Sequence, residues 1–263
     1  MMHNLITETN IIIYILIFIY ILIICYDIYF ATTENKYEKK IKYYLGYVKK
    51  FYKDRDDSHG KAHVKQVAEI SMKYCKAYNF NDNEIIIIIL SALLHDAYDH
   101  KYVDNIEDVK KDINKVLRKL YIADIEINTI HNIIEDISFS KEKKKRKYSK
   151  IEINTFSDKK IQLMRNIVSD ADKSTSLGKI AVIRMIQYMN HSSEENYKKY
   201  TNEWYDKHIN HIIEHCKEKL FILLSHNYIR TDVGRNDCLE KENVLRDIIS
   251  NRDLLIKYIN QYS

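Results

Sequence analysis

Residues 84–99 read EIIIIILSALLHDAYD, an apolar run that ends in the doublet His95-Asp96 and, three residues later, in Asp99. A helix that is apolar on nearly all sides is typical of a protein core, so we predict that this helix is central to its domain. Burying an imidazole and a carboxylate at its end costs free energy unless both are paired, and a metal ion would pair both. The stretch therefore predicts a helical core with a polar site at one end.

The composition of the whole chain favours helices. Its 263 residues include no proline and only 4 glycines, and the hydrophobic fraction of 46% is enough for a core. We therefore predict an all-α protein, with a charged loop at residues 141–153. One predicted helix is capped by residues 56–58 and runs up to a loop at 79–83, and the others lie at about 36–54, 84–99, 104–121, 124–138, 158–190, 194–227 and 237–261.

The N-terminal region contains an uncharged apolar run at residues 11–26, IIIYILIFIYILIICY. With its flanks this run reaches the roughly 20 residues of a membrane span. Lysines follow from Lys36 onward, and positive charge marks the cytosolic side of a span. We therefore predict a membrane anchor at 1–35, crossing the bilayer through residues 11–30, and a cytosolic domain at 36–263. A cleaved signal peptide, a buried core helix and a soluble cytoplasmic protein are the alternatives.

The distribution of charge and of cysteines bears on two questions: whether the chain binds nucleic acid, and whether its thiols are free. The formal net charge of +5 comes largely from local blocks such as residues 141–150, KEKKKRKYSK. Basic loops of this kind are usually only solvated, so nucleic-acid binding through Lys143 to Lys147 is the least favoured function. The 4 cysteines are dispersed without a CxxC pair, which is typical of free thiols in a reducing compartment.

Two further residues extend the doublet into a possible metal site. His63 lies in GKAHVKQV and Asp172 in VSDADKSTSLG, each on a predicted helix. Taken alone, His63 would be a core histidine and Asp172 a surface acid. Together with His95 and Asp96 they offer two imidazoles and two carboxylates without cysteine, a set suited to a hard or borderline divalent ion that retains water. Asp99 is four residues after His95 and is predicted on the same side of the helix, within reach of such water.

The order His, His-Asp, Asp resembles the HD-domain superfamily of metal-dependent phosphohydrolases, which are all-helical bundles. More narrowly, the chain is similar to a bacterial branch of largely uncharacterised HD hydrolases, some of which cleave nucleoside triphosphates to monophosphate and pyrophosphate. The resemblance covers most of residues 55–250. Its segments are DSHGKAHVKQV, ALLHDAYDHKY, IIEDISFSK, VSDADKSTSLGKIAVIR and, more weakly, HCKEKLFIL and TDVGR.

The resemblance implies roles for individual residues. The metal ligands would be His63, His95, Asp96 and Asp172. Asp170 is the rival for the last position, but the ligand of the superfamily follows an alanine and precedes a basic residue, as Asp172 does. Asp99 would position or deprotonate the attacking water.

Other positions match the residues of the family that surround the reaction. His59, one helical turn before His63, would assist the leaving group or hydrogen-bond a metal ligand. Lys173 is a further catalytic candidate, because cations near the metal stabilise charge that develops on phosphate oxygens. The remaining candidates for substrate binding are Lys101, Arg184, Lys141 and Asp170.

The chain also departs from the pattern of the branch. Ser174 and Thr175 stand where the branch usually has a leucine and an aspartate, which admits reduced or altered activity. His131 lies between the doublet and Asp172, where two-metal HD enzymes place extra ligands, but no second such histidine accompanies it. His208, His211 and His215 have metal-like helical spacing outside the pattern, and we interpret them as one face of a helix.

The predicted function is hydrolysis of a phosphoanhydride or phosphoester bond in a nucleotide by metal-activated water. Mn²⁺ is the favoured ion, while Mg²⁺, Co²⁺, Fe²⁺ and Ni²⁺ stay open because this ligand set does not decide among them. The alternative is a catalytically degenerate HD module that senses a nucleotide or anchors partners at a membrane. Neither the substrate nor the oligomeric state follows from the sequence.

Overall fold

A computed structural model describes most of the chain. The ranges described are 2–53, 55, 60–99, 102–148, 155–192 and 201–262, without the side chains of 2–14, 26–35, 147–148 and 190–192. Within these ranges all regular structure is helical and no strand occurs, which confirms the predicted all-α class.

The chain forms two compact units, Met1–Tyr43 and Tyr44–Ser263. In the part of the chain described, no helix combines the length and the apolar character that crossing a membrane requires. The anchor predicted at residues 11–30 therefore lacks support, as does the cytosolic placement inferred from it. The side chains of 11–14 and 26–30 lie outside those described.

Twelve α-helices are described. They are α1 (Met2–Val48), α2 (Lys61–Cys75), α3 (Asp82–Leu94), α4 (Ile106–Lys119), α5 (Asp124–Asp136), α6 (Phe139–Tyr148), α7 (Lys159–Ser174), α8 (Lys179–Ser192), α9 (Asn202–His215), α10 (Ile222–Ser225), α11 (Asp232–Ser250) and α12 (Arg252–Tyr262). A 3-10 turn, Lys49–Tyr52, follows α1, and a π turn, Cys216–Leu220, follows α9.

Helix α3 is the centre of the second unit, as its apolar sequence predicts. It packs against α2, α5 and α7, and Ile88, Leu90 and Leu93 have no exposed surface. A capping box fixes where it begins: Asn81 accepts a hydrogen bond from the backbone of Glu84, and the Glu84 side chain accepts one from the backbone of Asn81. The buried helix therefore begins at a defined place and ends at Leu94, just before the His95-Asp96 doublet.

A second group of helices packs beside this core. Helices α8, α9, α11 and α12 contact one another around a cluster of buried apolar side chains that includes Trp204, Ile212, Leu245 and Leu255. Helix α7 contacts both groups, because it packs against α2 and α3 of the first group and against α11 of the second. Residues at the end of α7 are thus placed between the two groups.

Several elements differ from the sequence prediction. The helix predicted at 237–261 begins at Asp232 and is divided at Asn251 into α11 and α12, and the helix predicted at 194–227 includes the π turn Cys216–Leu220. The helix predicted at 158–190 is divided into α7 and α8, because Gly178 adopts φ of 74°, which a continuous α-helix does not allow. The loop predicted at 141–153 is helical as far as Tyr148. Lysine, glutamate and arginine are good helix formers, and Arg146 donates hydrogen bonds to the carbonyls of His226 and Asn227, which hold this helix in place.

Candidate metal centre

Three packed helices bring the predicted metal ligands together. His63 lies in the first turn of α2, the doublet His95-Asp96 directly follows α3, and Asp172 lies near the end of α7. Because α2, α3 and α7 pack pairwise against one another, these positions converge at one place.

The donor atoms of the four residues are close enough to share one ion. The Nε2 atoms of His63 and His95 are 3.2 Å apart. Asp172 Oδ1 lies 3.4 Å and 3.5 Å from these two nitrogens, and Asp96 Oδ2 lies 3.6 Å and 3.4 Å from them. Ligands at roughly 2.1 Å from an octahedral ion are about 3 Å apart, so the observed spacing needs only small adjustment.

The ring of His95 is held in the tautomer that metal binding requires. Its Nδ1 lies 2.8 Å from the carbonyl oxygen of Ala92, which can only accept a hydrogen bond. Nδ1 therefore carries the hydrogen, and the lone pair of neutral His95 is on Nε2, directed at the cluster.

The turn that carries the doublet is fixed by residues before α2. Arg55 donates hydrogen bonds to the carbonyls of Asp96 and Ala97, at 2.6 Å and 2.7 Å. Tyr52 donates to the carbonyl of Leu93 at 2.7 Å. These bonds satisfy carbonyls at the end of α3 that have no partner within the helix, and the cation suits the negative end of its dipole.

The negative charges of Asp96 and Asp172 favour a cation at the cluster. Burial opposes the charged form of His95, but the carboxylates of Asp96 and Asp172 outweigh it and raise its pKa well above the ordinary value. Burial would raise the pKa of Asp172, whereas hydrogen bonds from His63 and His95 hold it well below its usual range. A proton on His95 would thus offset part of the negative charge of the two carboxylates, and a divalent ion would take its place.

The residues present fit a divalent metal ion. Donor atoms of His63, His95 and Asp172 all lie within 4.8 Å of one another, and this group could hold a metal. Asp96 approaches the same two nitrogens with Oδ2, so it would supply a fourth ligand. Nitrogen and oxygen donors without a thiolate suit ions such as Mn²⁺ or Mg²⁺ and leave positions for water.

The cluster opens into a cavity of about 630 Å³. Its lining residues are His63, Asp96, Asp172, Ser176, Ala181, Arg184, Met185, Tyr188, His211, His215, Lys219 and Leu220. This volume is typical of a small-molecule site. The candidate metal ligands therefore lie at the surface of a cavity that can admit a substrate.

Arg184 is the predicted substrate-binding residue that the structure brings to this cavity. Its Nη2 lies 3.3 Å from His63 Nδ1. Asp99 is half-buried in the turns after α3 and does not line the cavity. Helix α3 ends at Leu94 and the chain continues in i→i+3 turns. The α-helical spacing that predicted the position of Asp99 therefore does not hold.

Lys173, Asp170 and Lys141 are not brought to the cavity. Lys173 is buried, donates a hydrogen bond to Ser169 and lies 3.5 Å from Glu142. Asp170 is buried on the other side of α7, and Lys141 Nζ donates to the carbonyl of Glu135 on the surface. His59 and Lys101 lie outside the described residues, so their roles stay predictions.

The residues that depart from the HD pattern have structural partners. Ser174 donates a hydrogen bond to Asp237 at 2.7 Å, and Thr175 donates to the carbonyl of Asp172, also at 2.7 Å. Both are buried and neither lines the cavity. His131 lies 2.7 Å from the side-chain oxygen of Asn114 and stacks on Tyr98, so its place is structural.

Among the cavity residues that the sequence does not assign to the site, three have nitrogen-bearing side chains. His211 and His215 were interpreted as a helix face, and Lys219 was not singled out, yet all three line the cavity. The spacing of four residues between them is a usable signal, since it places side chains on one side of a helix. His208, the third histidine of that predicted face, is buried, and its Nδ1 lies 2.8 Å from the carbonyl of Trp204.

No family model and no curated protein matches this chain. Several solved structures do match this chain. A Lactobacillus plantarum protein superposes with a TM-score of 0.57 at 22% identity, covering 81% of this chain and 94% of that one. An HD-superfamily hydrolase from Bacillus thuringiensis gives 0.56 at 20% identity over 81% and 94%.

A third similar structure is that of Bacillus subtilis YpgQ in complex with ADP. Its TM-score is 0.55 at 19% identity, and the match covers 83% of this chain and 94% of YpgQ. At such identities the likeness concerns the fold. Together with the resemblance carried by the sequence motifs, it shows that this chain has the fold of the HD-superfamily hydrolases.

Proposed function

We propose that this protein is a metal-dependent phosphohydrolase that cleaves a phosphoanhydride or phosphoester bond in a nucleotide. The observation that carries the proposal is the convergence of His63, His95, Asp96 and Asp172, with donor atoms 3.2 to 3.6 Å apart at the surface of a cavity. When bound, a divalent ion supplies Lewis acidity for water and for a phosphate oxygen. Mn²⁺ is the ion we propose.

Residues of the chain would supply the rest of the chemistry. Once Nε2 of His63 binds a metal, its Nδ1 carries a hydrogen and cannot accept one from Arg184. The guanidinium of Arg184, which also donates to the carbonyl of Thr175, can then donate from Nη2 to a phosphate oxygen in the same cavity. We propose that Asp99 orients the attacking water after substrate binding, because catalytic contacts often tighten only in the complex.

A nucleotide is proposed as the substrate for two reasons. The cavity combines charged and histidine side chains with an apolar part formed by Ala181, Met185, Tyr188 and Leu220, which suits a ligand with a phosphate end and a base. In addition, YpgQ, which shares this fold, has been crystallised in complex with ADP.

The test is product analysis with the purified full chain. Incubation with Mn²⁺ and a panel of nucleoside mono-, di- and triphosphates should release phosphate or pyrophosphate. Asp96→Ala should abolish turnover, whereas Asp253→Ala, which removes an exposed carboxylate away from the cavity, should retain it. Equal turnover in Asp96→Ala, or in the presence of EDTA, would refute a metal-dependent reaction at this site.

The degenerate HD module is the weaker candidate. Its motivation was Ser174 and Thr175, and both are buried residues with hydrogen-bond partners outside the cavity. Neither replaces a cavity residue in the described structure. Nucleotide binding without product release in the same assay would nevertheless favour a sensor over an enzyme.

A further inference from the structure

We propose that His211, His215 and Lys219 form a phosphate-binding wall that holds a polyphosphate chain beyond the phosphate at the metal centre. The inference rests on the proposed function and deepens it, since it selects nucleoside di- and triphosphates over monophosphates. All three side chains line the cavity that also contains His63, Asp96 and Asp172.

The backbone explains how three residues at intervals of four share one wall. On an α-helix, residues four apart drift by roughly 40° at each step, so a third member begins to leave the face. After His215 the helix changes to the π turn Cys216–Leu220, closed by a hydrogen bond from the amide of Phe221 to the carbonyl of Cys216 at 2.9 Å. A π turn is wider and needs more residues per rotation, which counteracts the drift and returns Lys219 to the face of His211.

The chemistry of the wall favours an anion over a second metal ion. Lys219 carries a positive charge and three hydrogen-bond donors, which repel a cation and suit phosphate oxygens. Among the described residues, the group able to hold a metal contains neither His211 nor His215. With Arg184, the wall gives the cavity cationic groups in addition to a metal at the ligand cluster.

A polyphosphate is the ligand whose charge and extent match both parts of the cavity. A single phosphate can be held by the metal centre and Arg184 and leaves the wall without a partner. A di- or triphosphate extends further and can place its outer phosphates on Lys219 and the two histidines. The cavity volume of about 630 Å³ has room for such a chain.

The test measures binding to the full-length protein by calorimetry in EDTA, so that no metal contributes. Inorganic tripolyphosphate should bind at least about tenfold more tightly than orthophosphate. Lys219→Ala should weaken tripolyphosphate binding by about tenfold or more, and Lys219→Arg should retain most of it. Lys217→Ala is the matched control, since Lys217 is an exposed lysine of the same π turn that does not line the cavity.

Two outcomes would overturn the inference: equal affinity for tripolyphosphate and orthophosphate, or equal losses in Lys219→Ala and Lys217→Ala. Mn²⁺ affinity, measured separately, should be the same in Lys219→Ala as in the unchanged protein. Tripolyphosphate binding that depends on Lys219 in a protein without Mn²⁺-dependent turnover would support the wall while refuting the proposed hydrolysis. Mn²⁺-dependent turnover together with tripolyphosphate binding that does not depend on Lys219 would support the proposed hydrolysis and refute the wall.

Discussion

Asp170 and Asp172 are two residues apart on one helix and have different surroundings. Asp172 Oδ1 lies 3.4 Å from His63 Nε2 at the cavity. Asp170 has no exposed surface and accepts hydrogen bonds from the backbone of Thr231 at 2.7 Å and from its hydroxyl at 2.7 Å. Because residues two apart point to different sides of a helix, one acid faces the metal centre and the other holds the beginning of α11.

Because their surroundings differ, the same substitution should affect metal binding at Asp172 and folding stability at Asp170. Asp172→Asn should weaken Mn²⁺ binding by more than about 100-fold, because it removes a charged ligand. Loss of a residue that only hydrogen-bonds a metal ligand already weakens metal binding by about 10- to 100-fold. Asp170→Asn should leave Mn²⁺ affinity within about threefold but lower the free energy of unfolding by about 1–3 kcal/mol, since a buried hydrogen-bonded acceptor is weakened. Calorimetric Mn²⁺ titration and urea unfolding of both variants check this. Loss of Mn²⁺ binding in Asp170→Asn would reverse the assignment.

At the scale of single elements, α6 is held by one buried carboxylate. Glu142 accepts hydrogen bonds from Arg230 at 2.7 Å and from Arg146 at 2.8 Å, and it lies 3.4 Å from Arg165 and 3.5 Å from Lys173. Burial alone would raise the pKa of Glu142, but the charges of these cations lower it to about 2. The lysine-rich helix therefore contributes the counter-ion of a buried basic cluster.

Replacing this carboxylate should cost stability in a pH-dependent way. Glu142→Gln should lower the free energy of unfolding at pH 7 by about 3–5 kcal/mol, because buried cations lose their partner. The folded pKa of about 2 lies below the ordinary glutamate value of 4.5, so the stabilisation is present above pH 4.5 and is lost as pH falls towards 2. The difference from the unchanged protein should therefore shrink by about 2 kcal/mol between pH 7 and pH 3. Urea unfolding at several pH values measures it.

The exposed Glu240 supplies the control for that series. Glu240→Gln should change the free energy of unfolding by no more than about 0.5 kcal/mol at any pH, because an isolated surface charge contributes little. A difference for Glu142→Gln that stayed constant from pH 7 to pH 3 would show that folding does not lower the pKa of Glu142.

The beginning of α11 leaves no room for a side chain at Gly234. A Cβ added there would lie 2.7 Å from Thr231 Oγ1 and 2.8 Å from Asp170 Oδ2, so one of these groups would have to move. Gly234→Ala should therefore lower the free energy of unfolding by about 1–3 kcal/mol. In contrast, nothing lies within 4 Å of a Cβ added at Gly46, within α1. Gly46→Ala should raise stability by about 0.5–1 kcal/mol.

Urea unfolding of the two glycine variants is the measurement. A stability of Gly234→Ala equal to that of the unchanged protein would mean that the contact between α7 and α11 is looser than described. A loss in Gly46→Ala would point to a neighbour absent from the described residues.

At the scale of the whole molecule, the sequence predicts the features that local chemistry determines. The continuous apolar run before His95 predicts a central helix, because only burial accommodates it, and α3 is central. The metal ligands were predicted from their types and order, and His63, His95, Asp96 and Asp172 do converge. Whether they bind a metal stays a prediction.

The remaining features depend on contacts between distant segments, which periodicity does not contain. Lys173 was expected near phosphate, yet its charge is balanced by Glu142, 31 positions earlier in the chain, in a segment predicted to be a loop. His211 lies outside the segments of the resemblance and His215 begins one of its weaker ones, HCKEKLFIL, whereas the packing of α8 and α9 places both in the cavity wall. Arg55 fixes the doublet through backbone carbonyls, for which no sequence pattern exists.

The candidate metal centre joins α2, α3 and α7, so an ion bound there should stabilise the molecule as a whole. An ion that binds the folded state alone contributes about 2.7 kcal/mol at a concentration one hundred times its Kd. For a chain of this size that energy corresponds to a rise in Tm of roughly 5–10 °C. Scanning calorimetry of the full chain with EDTA and with saturating Mn²⁺ measures the shift, which Asp172→Asn should lose and Lys219→Ala should keep. An equal rise in Asp172→Asn would mean that Mn²⁺ stabilises the fold from somewhere other than the site where the three helices meet.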